Sequence, residues 1–371
     1  MTDKADYAKF VEHLGNFVLD LPDSESLTDL LKETLTVEEA EFLSDFPFVP
    51  QKIETLVEKS QIPANELRSR LDSLAKRGII FRSQSGNTVE YALNEPWFIF
   101  FRSPYWSGKE DEKTKNLARF ANRYYYGGMG KKFGEHKTMT LRAIPIGRTI
   151  KDTRQIRPYE DVAEFVQQED YICVGHCPCR QMKNLDPDAA SCRHETLNCL
   201  HFGRLAHYMV EHDMGKEISK EEAMETLLMA ADAGLVHGIS NTKTGIDSIC
   251  NCCSCCCVFM QSANVLGLRG HQHSNYILDV HEETCKGCGL CVDRCPMKAM
   301  GTEASPKATN KLGKFAVLDP QRCIGCGVCV HKCPTNSLKL VHRGDEQDVP
   351  KNSIELHELR ARERGKILYV E

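Results

Sequence analysis

Two copies of one cysteine motif stand in the last third of the chain and could bind metal. They read CKGCGLCVDRCP at 285–296 and CIGCGVCVHKCP at 323–334, each with the spacing C-x2-C-x2-C-x3-C-P. Three close cysteines can surround one face of a [4Fe-4S] cluster, while the fourth begins a helix and reaches the other cluster. The spacing predicts two [4Fe-4S] clusters, one on Cys285, Cys288, Cys291 and Cys333, and one on Cys323, Cys326, Cys329 and Cys295.

Glycines between these cysteines allow the tight turns that such loops need, at Gly287, Gly289, Gly325 and Gly327. Residues 275–342 resemble the bacterial two-cluster ferredoxin domain. With every iron bound to protein, the clusters are expected to move single electrons and not to bind substrate. Zinc bound by similar Cys-x2-Cys pairs is the alternative.

A second group of cysteines lies upstream, and six of them fall within the segment ICNCCSCCCVFM at 249–260. A cubane takes four protein ligands, so the eleven thiols between Cys173 and Cys257 exceed the need of one cluster. Adjacent cysteines also point in different directions and cannot all reach one metal. The predicted metal ligands of this middle region are Cys177, Cys179, Cys192, Cys199, Cys250, Cys252, Cys253, Cys255, Cys256 and Cys257.

Two arrangements of these thiols remain open. In the simpler one, Cys177, Cys179, Cys192 and Cys199 surround one centre and several of 250–257 surround another. In the other, both loops contribute to a mixed assembly. We expect an additional iron–sulfur cluster here, with zinc as the alternative. Side chains close in sequence could hydrogen-bond its sulfides or replace a thiolate: Arg180, His176, His194 and His201.

Helices and strands must bring these loops together. The sequence predicts a helix over 158–169, a strand over 171–174 and a helix within ISKEEAMETLLMAADAGLVHG at 218–238. Ser219 and Glu222 form a predicted capping box for that last helix, and Gly234 ends it. Its expected buried face is Ala223, Leu227, Ala230 and Ala231, and it returns one cysteine loop toward the other.

The N-terminal region contains no cysteine. The sequence of residues 50–93 predicts two helices, one within 50–60 and one within 62–78 that ends at Gly78. A hairpin with its turn at 85–87 is predicted to follow. This pattern resembles winged helix-turn-helix domains, in which the helix with Arg68, Arg70, Lys76 and Arg77 would contact DNA. Residues 1–100 hold ten Lys and Arg against eighteen Asp and Glu, a balance that disfavours phosphate binding. We therefore expect a structural or docking role.

Length and composition predict a folded protein of two or three domains. The chain has 371 residues and a net charge of -5. Its 19 cysteines are an odd number for a disulfide framework, and a chain of this length does not need disulfides for stability. No signal peptide or membrane span is recognisable, so we expect a cytoplasmic location. The predicted fold class is α+β. Its parts are a winged-helix-like domain at 1–100, a mixed α/β cysteine-rich middle domain at 101–274, a two-[4Fe-4S] ferredoxin fold at 275–342 and a charged tail at 343–371.

The order of motifs resembles a set of bacterial iron–sulfur proteins described as 4Fe-4S ferredoxin-type proteins. The matching motifs are CPCR at 177–180, ETLNC at 195–199, CNCCSCCC at 250–257 and the ferredoxin repeats, so the resemblance covers most of the chain. It implies an architecture and no particular reaction.

The predicted function is electron transfer by the ferredoxin module to a further Cys-ligated centre or to a partner oxidoreductase. No nucleotide-binding motif is found, so the electrons are expected from a redox partner such as a flavoprotein or a reductase subunit. Whether the chain is an enzyme, an oxidoreductase or a subunit of one, stays open. The alternative is a redox- or iron-responsive regulator that uses the winged helix to bind DNA or a partner.

Overall fold

Short helices form the start of the chain. The computed structural model describes residues 2–17, 19–145, 162–306, 308–344 and 347–366. The first helices are α1 Thr2–Ala5, α2 Ala8–Gly15, α3 Glu25–Thr34 and α4 Val37–Leu43. The Ser24 side chain caps α3, and Thr36 with Glu39 forms a capping box on α4. These caps satisfy backbone N–H groups that have no partner within the helix.

The next region contains the predicted helices and hairpin. Its elements are β1 Gln51–Lys52, α5 Ile53–Ser60, α6 Ala64–Lys76, β2 Ile80–Ser85 and β3 Thr88–Leu93. In the described part of the chain the strands form an antiparallel sheet in the order β1-β3-β2. Gly78 adopts a φ of 77°, which allows the sharp turn from α6 into β2. The winged-helix assignment of this region stays a prediction.

Two of the predicted DNA-binding cations, Arg70 in α6 and Arg77 directly after it, form ion pairs within the protein. Arg70 lies 3.3 Å from the Glu38 carboxylate, and Arg77 pairs with Glu39. The hydroxyl of Tyr208, a middle-domain residue, lies 2.8 Å from the carbonyl oxygen of Ala75. This region therefore packs directly against the middle domain.

A helical segment follows, with α7 Pro96–Phe101, α8 Glu112–Tyr124, a π-helical turn Tyr125–Met129 and α9 Gly130–Gly134. Trp97 stacks on Phe101 and on Phe133, each with ring centroids 4.8 Å apart. The Asn122 side chain donates a 2.8 Å hydrogen bond to Asp186 at the end of a middle-domain helix. These contacts join the segment to the middle domain.

The middle domain is built on one antiparallel sheet. Its strands are β4 Leu141–Ala143, β5 Ile172–His176, β6 Leu197–Phe202, β7 Lys216–Glu217, β8 Val236–Ser240 and β9 Ser248–Cys252. Across the described residues their order is β4-β8-β9-β6-β5-β7. The helices are α10 Val162–Gln168, α11 Pro178–Leu185, α12 Gly203–Glu211, α13 Lys220–Asp232 and α14 Val258–Asn264.

Local sequence patterns correctly predicted several of these elements. The capping box of Ser219 and Glu222 is present on α13, and its buried residues are the predicted Ala223, Leu227, Ala230 and Ala231. Gly234 follows with a φ of 82°. The strand predicted over 171–174 is β5, and the first residues of the helix predicted over 158–169 lie outside the described residues.

The C-terminal repeats form two small sheets with short helices. The elements are β10 Tyr276–Val280, α15 Leu290–Arg294, β11 Met300–Ala304, β12 Lys314–Leu318, α16 Val328–His331 and β13 Leu338–His342. Strand β10 pairs with β13, and β11 pairs with β12, both antiparallel.

The predicted helix after each fourth cysteine is wrong. Helices α15 and α16 precede Cys295 and Cys333, and Cys295 is extended with a ψ of 109°. A proline follows each of these cysteines and disfavours helical backbone in the residue before it.

The last helix, α17 Ser353–Glu363, lies in the segment predicted as a charged tail. Leu356, Arg360 and Ala361 of α17 are buried. Arg364 and Lys366 both pair with Asp20, so the end of the described chain packs against its beginning. The whole is a mixed α+β structure, and no helix of the described part is long and apolar enough to cross a bilayer.

Candidate metal centres

The ferredoxin repeats enclose two cysteine-lined pockets. The outer pocket has a volume of about 370 Å³ including its opening to solvent, and its cysteines are Cys285, Cys288, Cys291, Cys329 and Cys333. The inner pocket has a volume of about 350 Å³ on the same basis, and its cysteines are Cys295, Cys323, Cys326 and Cys329. Each predicted set of four thiols therefore lines one pocket, with the fourth thiol supplied by the other repeat. Their role as ligands stays a prediction.

The backbone around these pockets suits an iron–sulfur cluster. Gly287 and Gly289 have φ of 62° and 79°, and Gly325 and Gly327 have φ of 69° and 74°. A Cβ on Gly325 would lie 2.1 Å from the carbonyl oxygen of Tyr276, so the chain has no room for a side chain there. The amide of Gly287 donates to Cys285 Sγ at 3.4 Å, as expected where N–H groups face thiolates.

Burial raises the pKa of Cys291 to about 11 and that of Cys326 to about 12. Both thiols are therefore protonated at neutral pH when no metal is bound. A metal must displace these protons to bind, which couples metal loading to proton release.

Six middle-domain thiols form a ring, here called the six-thiol ring. Each of these thiols interacts with two of the others. Their order around the ring is Cys177, Cys199, Cys250, Cys252, Cys257 and Cys179, and Cys179 interacts with Cys177 to close it.

The sheet register creates this ring. Leu200 on β6 pairs with Ile249 on β9, so the next positions, Cys199 and Cys250, face each other across two antiparallel strands. Cys252 lies two residues further along β9, on the same face as Cys250. Cys177 and Cys179 begin α11, and Cys257 precedes α14.

Each ring thiol interacts with two others, and every such interaction shifts the pKa values of its two partners in opposite directions. Hydrogen bonds from Cys179 and Cys199 hold the pKa of Cys177 well below its usual range. The same bonds, together with burial, raise the pKa of the thiols that donate them. Without metal, six buried thiols thus share their protons, because six adjacent thiolates would repel one another.

Four other thiols form a second set, here called the four-thiol group: Cys192, Cys253, Cys255 and Cys256. All their Sγ atoms lie within 4.8 Å of one another. Cys192 Sγ lies 3.4 Å from Cys255 Sγ and 3.8 Å from Cys253 Sγ. Cys255 is exposed, so this group reaches the surface. Tetrahedral zinc with Zn–S of about 2.3 Å places its sulfurs about 3.8 Å apart, which agrees with this spacing.

The ten predicted middle-domain ligands therefore occupy two separate sets, and both sets combine distant segments. Cys192 groups with Cys253 and not with Cys177, Cys179 and Cys199, which corresponds to the mixed assembly. The reason is the turn at 253–256, which directs adjacent thiols to opposite sides. Cys173 belongs to neither set, and burial raises its pKa to about 12.

Arg180 lies between the two sets and is 0% exposed. It donates to Asn198 Oδ1 at 3.1 Å and to the backbone carbonyl of Asn251. Burial alone would lower the pKa of Arg180, but the thiolates around it, Cys177 of the ring and Cys253 of the four-thiol group among them, raise it above its usual value. The guanidinium thus balances negative charge from both sets.

His271 was not among the ligands predicted from the sequence. Its ring is 5% exposed, and neither ring nitrogen has a hydrogen-bond partner in the described structure. One of these nitrogens lies within 4.8 Å of both Cys252 Sγ and Cys257 Sγ. A buried imidazole without a partner beside two thiols is suited to bind metal. Its position in RGHQHSN, directly before the ferredoxin repeats, was the available signal.

The predicted accessory histidines lie near the thiols with different partners. His176 Nδ1 lies 2.9 Å from the Thr196 hydroxyl. His201 is 1% exposed, and its Nδ1 lies 3.0 Å from the Ser248 hydroxyl. Burial lowers the pKa of His194, and the charge of the nearby Cys253 opposes part of this shift. These side chains are neutral polar neighbours of the thiols at pH 7.

A known protein family matches the ferredoxin repeats. The family model of the 4Fe-4S dicluster domain matches residues 284–337. No curated protein and no solved structure matches the chain. The domain match and the cysteine groups together support an iron–sulfur protein with a ferredoxin-type domain in its C-terminal part.

Proposed function

We propose that the protein transfers electrons between a partner oxidoreductase and a Cys-ligated centre in its own middle domain. The ferredoxin-type domain carries two [4Fe-4S] clusters, which take up and release single electrons. The outer cluster binds Cys285, Cys288, Cys291 and Cys333, and the inner cluster binds Cys323, Cys326, Cys329 and Cys295.

The order of the thiol groups from the surface inwards supports this proposal. Cys288 in the outer pocket is exposed to solvent. Cys295 and Cys323 of the inner pocket pack against the large core that also contains Cys252 and Cys257 of the six-thiol ring. A partner protein can therefore approach the outer cluster, while the inner cluster faces the middle domain.

Helix α14 links the ring to the inner pocket. It begins directly after Cys257 and ends at Asn264, a length of about 10 Å at about 1.5 Å per residue. The Asn264 side chain donates a 2.9 Å hydrogen bond to the carbonyl oxygen of Pro296, the neighbour of Cys295. The Arg322 guanidinium, next to Cys323, donates to Asn264 Oδ1 at 3.3 Å. These bonds hold the two thiol sets in fixed positions.

The two middle-domain sets are suited to different metals. Six thiols exceed the four ligands of a cubane, so we assign the ring to a larger or mixed-ligand iron–sulfur centre, with His271 as a further ligand. The four-thiol group has the spacing of a single tetrahedral ion, and we assign zinc to it. Iron in the ring gives the ferredoxin clusters an electron acceptor or donor inside the same chain.

Metal and sulfide analysis of anaerobically purified protein tests this proposal. Two cubanes account for about eight irons per chain. We expect more than eight irons, acid-labile sulfide and about one zinc, with several overlapping EPR signals on graded reduction. Colourless protein, or eight irons with two zincs, contradicts the assignment of iron to the ring.

Replacement of single cysteines separates the clusters. Cys295→Ala removes one ligand of the inner cluster, so its EPR signal should be lost or altered while that of the outer cluster remains. Cys173→Ala is the matched control, because this buried thiol lies outside every set and its loss should leave iron content unchanged. Unaltered signals from both clusters in Cys295→Ala contradict the predicted exchange of fourth ligands.

A further inference from the structure

A large cavity lies between the N-terminal sheet, α7, the middle-domain sheet and α17. Its volume is about 1450 Å³ including its opening to solvent. Aromatic side chains form part of its walls, among them Phe17, Phe48, Trp97, Phe98, Phe133 and Phe259. The charged residues in its lining are Glu95, Arg102, Asp247 and Arg360. Ligand sites for small molecules are typically concave and mostly apolar, with a few polar groups that orient the ligand.

Arg360 of α17 is the polar group of interest in this cavity. It lines the cavity and is 1% exposed, and its Nε and Nη1 have no hydrogen-bond partner among the described residues. Its guanidinium lies 5.6 Å from the centroid of the Phe133 ring. A buried cation without hydrogen-bond acceptors is costly, and an anionic ligand would supply them.

The neighbouring acids do not neutralise Arg360. In the described structure no ion pair joins it to Glu95 or to Glu363, although both carboxylates act on it from a distance. Glu363 instead accepts backbone hydrogen bonds from Lys137 and Thr138, each at 2.9 Å. The guanidinium therefore remains available for a ligand.

The cavity adjoins the six-thiol ring. Arg102 lines the cavity and donates to the Ser248 hydroxyl at 3.4 Å, two residues before Cys250 on β9. Phe259 lines it too, two residues after Cys257, and its ring lies 5.6 Å from the ring of His271. Asp247, directly before β9, and Phe259 of α14 thus line the cavity within three residues of a ring thiol in sequence.

We propose that this cavity binds a small aromatic carboxylate, paired with Arg360 and packed between the aromatic side chains, next to the six-thiol ring. Arg102 also lines the cavity, but it donates to Ser248. Arg360 is therefore the guanidinium left to pair with one carboxylate on a flat apolar body. The binding itself is independent of the metal in the ring, and only the placement beside a redox centre rests on the function proposed above.

Calorimetric titration of the anaerobically purified full-length protein tests the proposal. The probes are cinnamate, its neutral counterpart cinnamamide and inorganic phosphate. We expect saturable binding of cinnamate, binding of cinnamamide at least about tenfold weaker, and none of phosphate. Equal binding of acid and amide, or binding of phosphate alone, overturns the proposal.

Variants locate the site. Arg360→Gln should weaken cinnamate binding at least about tenfold, because it removes the charge that pairs with the carboxylate. Ser353 is exposed at the cavity opening, so Ser353→Trp should block entry without disturbing a packed core. The matched control is Ile354→Trp, at a neighbouring position that is 50% exposed and does not line the cavity. Undiminished binding in Ser353→Trp overturns the proposal even if Arg360→Gln fails to fold.

EPR spectra of the same samples test the ligand site and the redox role of the ring separately. Bound cinnamate should perturb the signal of the middle-domain centre more than those of the ferredoxin clusters. Intact EPR signals without cinnamate binding contradict only the ligand site. Cinnamate binding by protein that lacks a middle-domain signal contradicts only the redox role of the ring.

Discussion

Arg180 holds a positive charge inside the protein, between the six-thiol ring and the four-thiol group. It is fully buried, and it also donates hydrogen bonds to the chain on both sides of it. Adding an electron to a nearby centre increases negative charge, which a fixed cation stabilises. Arg180 is therefore expected to raise the reduction potential of the ring centre.

Replacing Arg180 with Met tests this role. A hydrogen-bonded charge contributes about 1.5–3 kcal/mol, and about 1.4 kcal/mol corresponds to about 60 mV for one electron. We expect Arg180→Met to lower the midpoint potential of the ring centre by about 60 mV or more in an EPR-monitored redox titration. Arg180→Lys retains the charge and should show a smaller shift. An unchanged potential in Arg180→Met with full metal content would argue against the role.

His271 is the candidate histidine ligand of a metal centre in the six-thiol ring. Its nitrogens have no partner in the described structure, and Cys252 and Cys257 lie beside it. If it binds iron, His271→Ala should change the EPR g values of the ring centre and lower its iron content. His273→Ala, two residues away and only partly buried, is the control. Identical spectra for both variants and the wild type would exclude His271 as a ligand.

At the scale of elements, local signals were sufficient for many features and insufficient for the metal sets. The capping box of α13 and the glycine turns of the cysteine repeats depend on neighbours in sequence, so they were predictable. The composition of the six-thiol ring depends on which residues of β6 and β9 face each other. Contacts between distant segments, strand register included, have no local signature in the sequence. Only the structure therefore shows that Cys192 groups with Cys253 and that His271 lies beside Cys252 and Cys257.

Helix α6 provides a prediction about nucleic acid. Of the four predicted DNA-binding cations in and directly after α6, Arg70 and Arg77 pair with glutamates. Residues 1–100 also carry an excess of acids. Because phosphate neutralisation supplies most nonspecific affinity, we expect the full-length protein not to shift duplex DNA in a mobility assay at about 150 mM salt. A tight complex that weakens steeply with added salt would support the regulatory alternative.

On the scale of the whole molecule, thiol sets lie at different depths. Cys288 and Cys255 are exposed, whereas the members of the six-thiol ring are buried or partly buried. The outer ferredoxin pocket and the four-thiol group therefore reach solvent, whereas the six-thiol ring is enclosed within the middle domain. Most of the ring thiols are therefore shielded from water, while Cys288 of the outer ferredoxin pocket is exposed.

Two cysteines of one short segment should have separable effects. Cys255→Ser should remove about one zinc per chain and leave the iron content unchanged, because Cys255 belongs to the four-thiol group. Cys257→Ser should lower the iron content and leave zinc bound, because Cys257 belongs to the six-thiol ring. Elemental analysis of both variants checks this, and simultaneous loss of iron and zinc in either one would show that the sets form a single centre.

The ring gathers its sulfurs from β6, β9 and the starts of α11 and α14, segments that meet only through the sheet. Each ferredoxin repeat, in contrast, supplies three of its thiols from one short loop. With the metals assigned as proposed, a repeat offers three ligands of one cluster as soon as its loop has been synthesised. The ring, in contrast, can accept iron only after the middle domain has folded. Newly made protein is therefore expected to mature in stages, with the ring filled last.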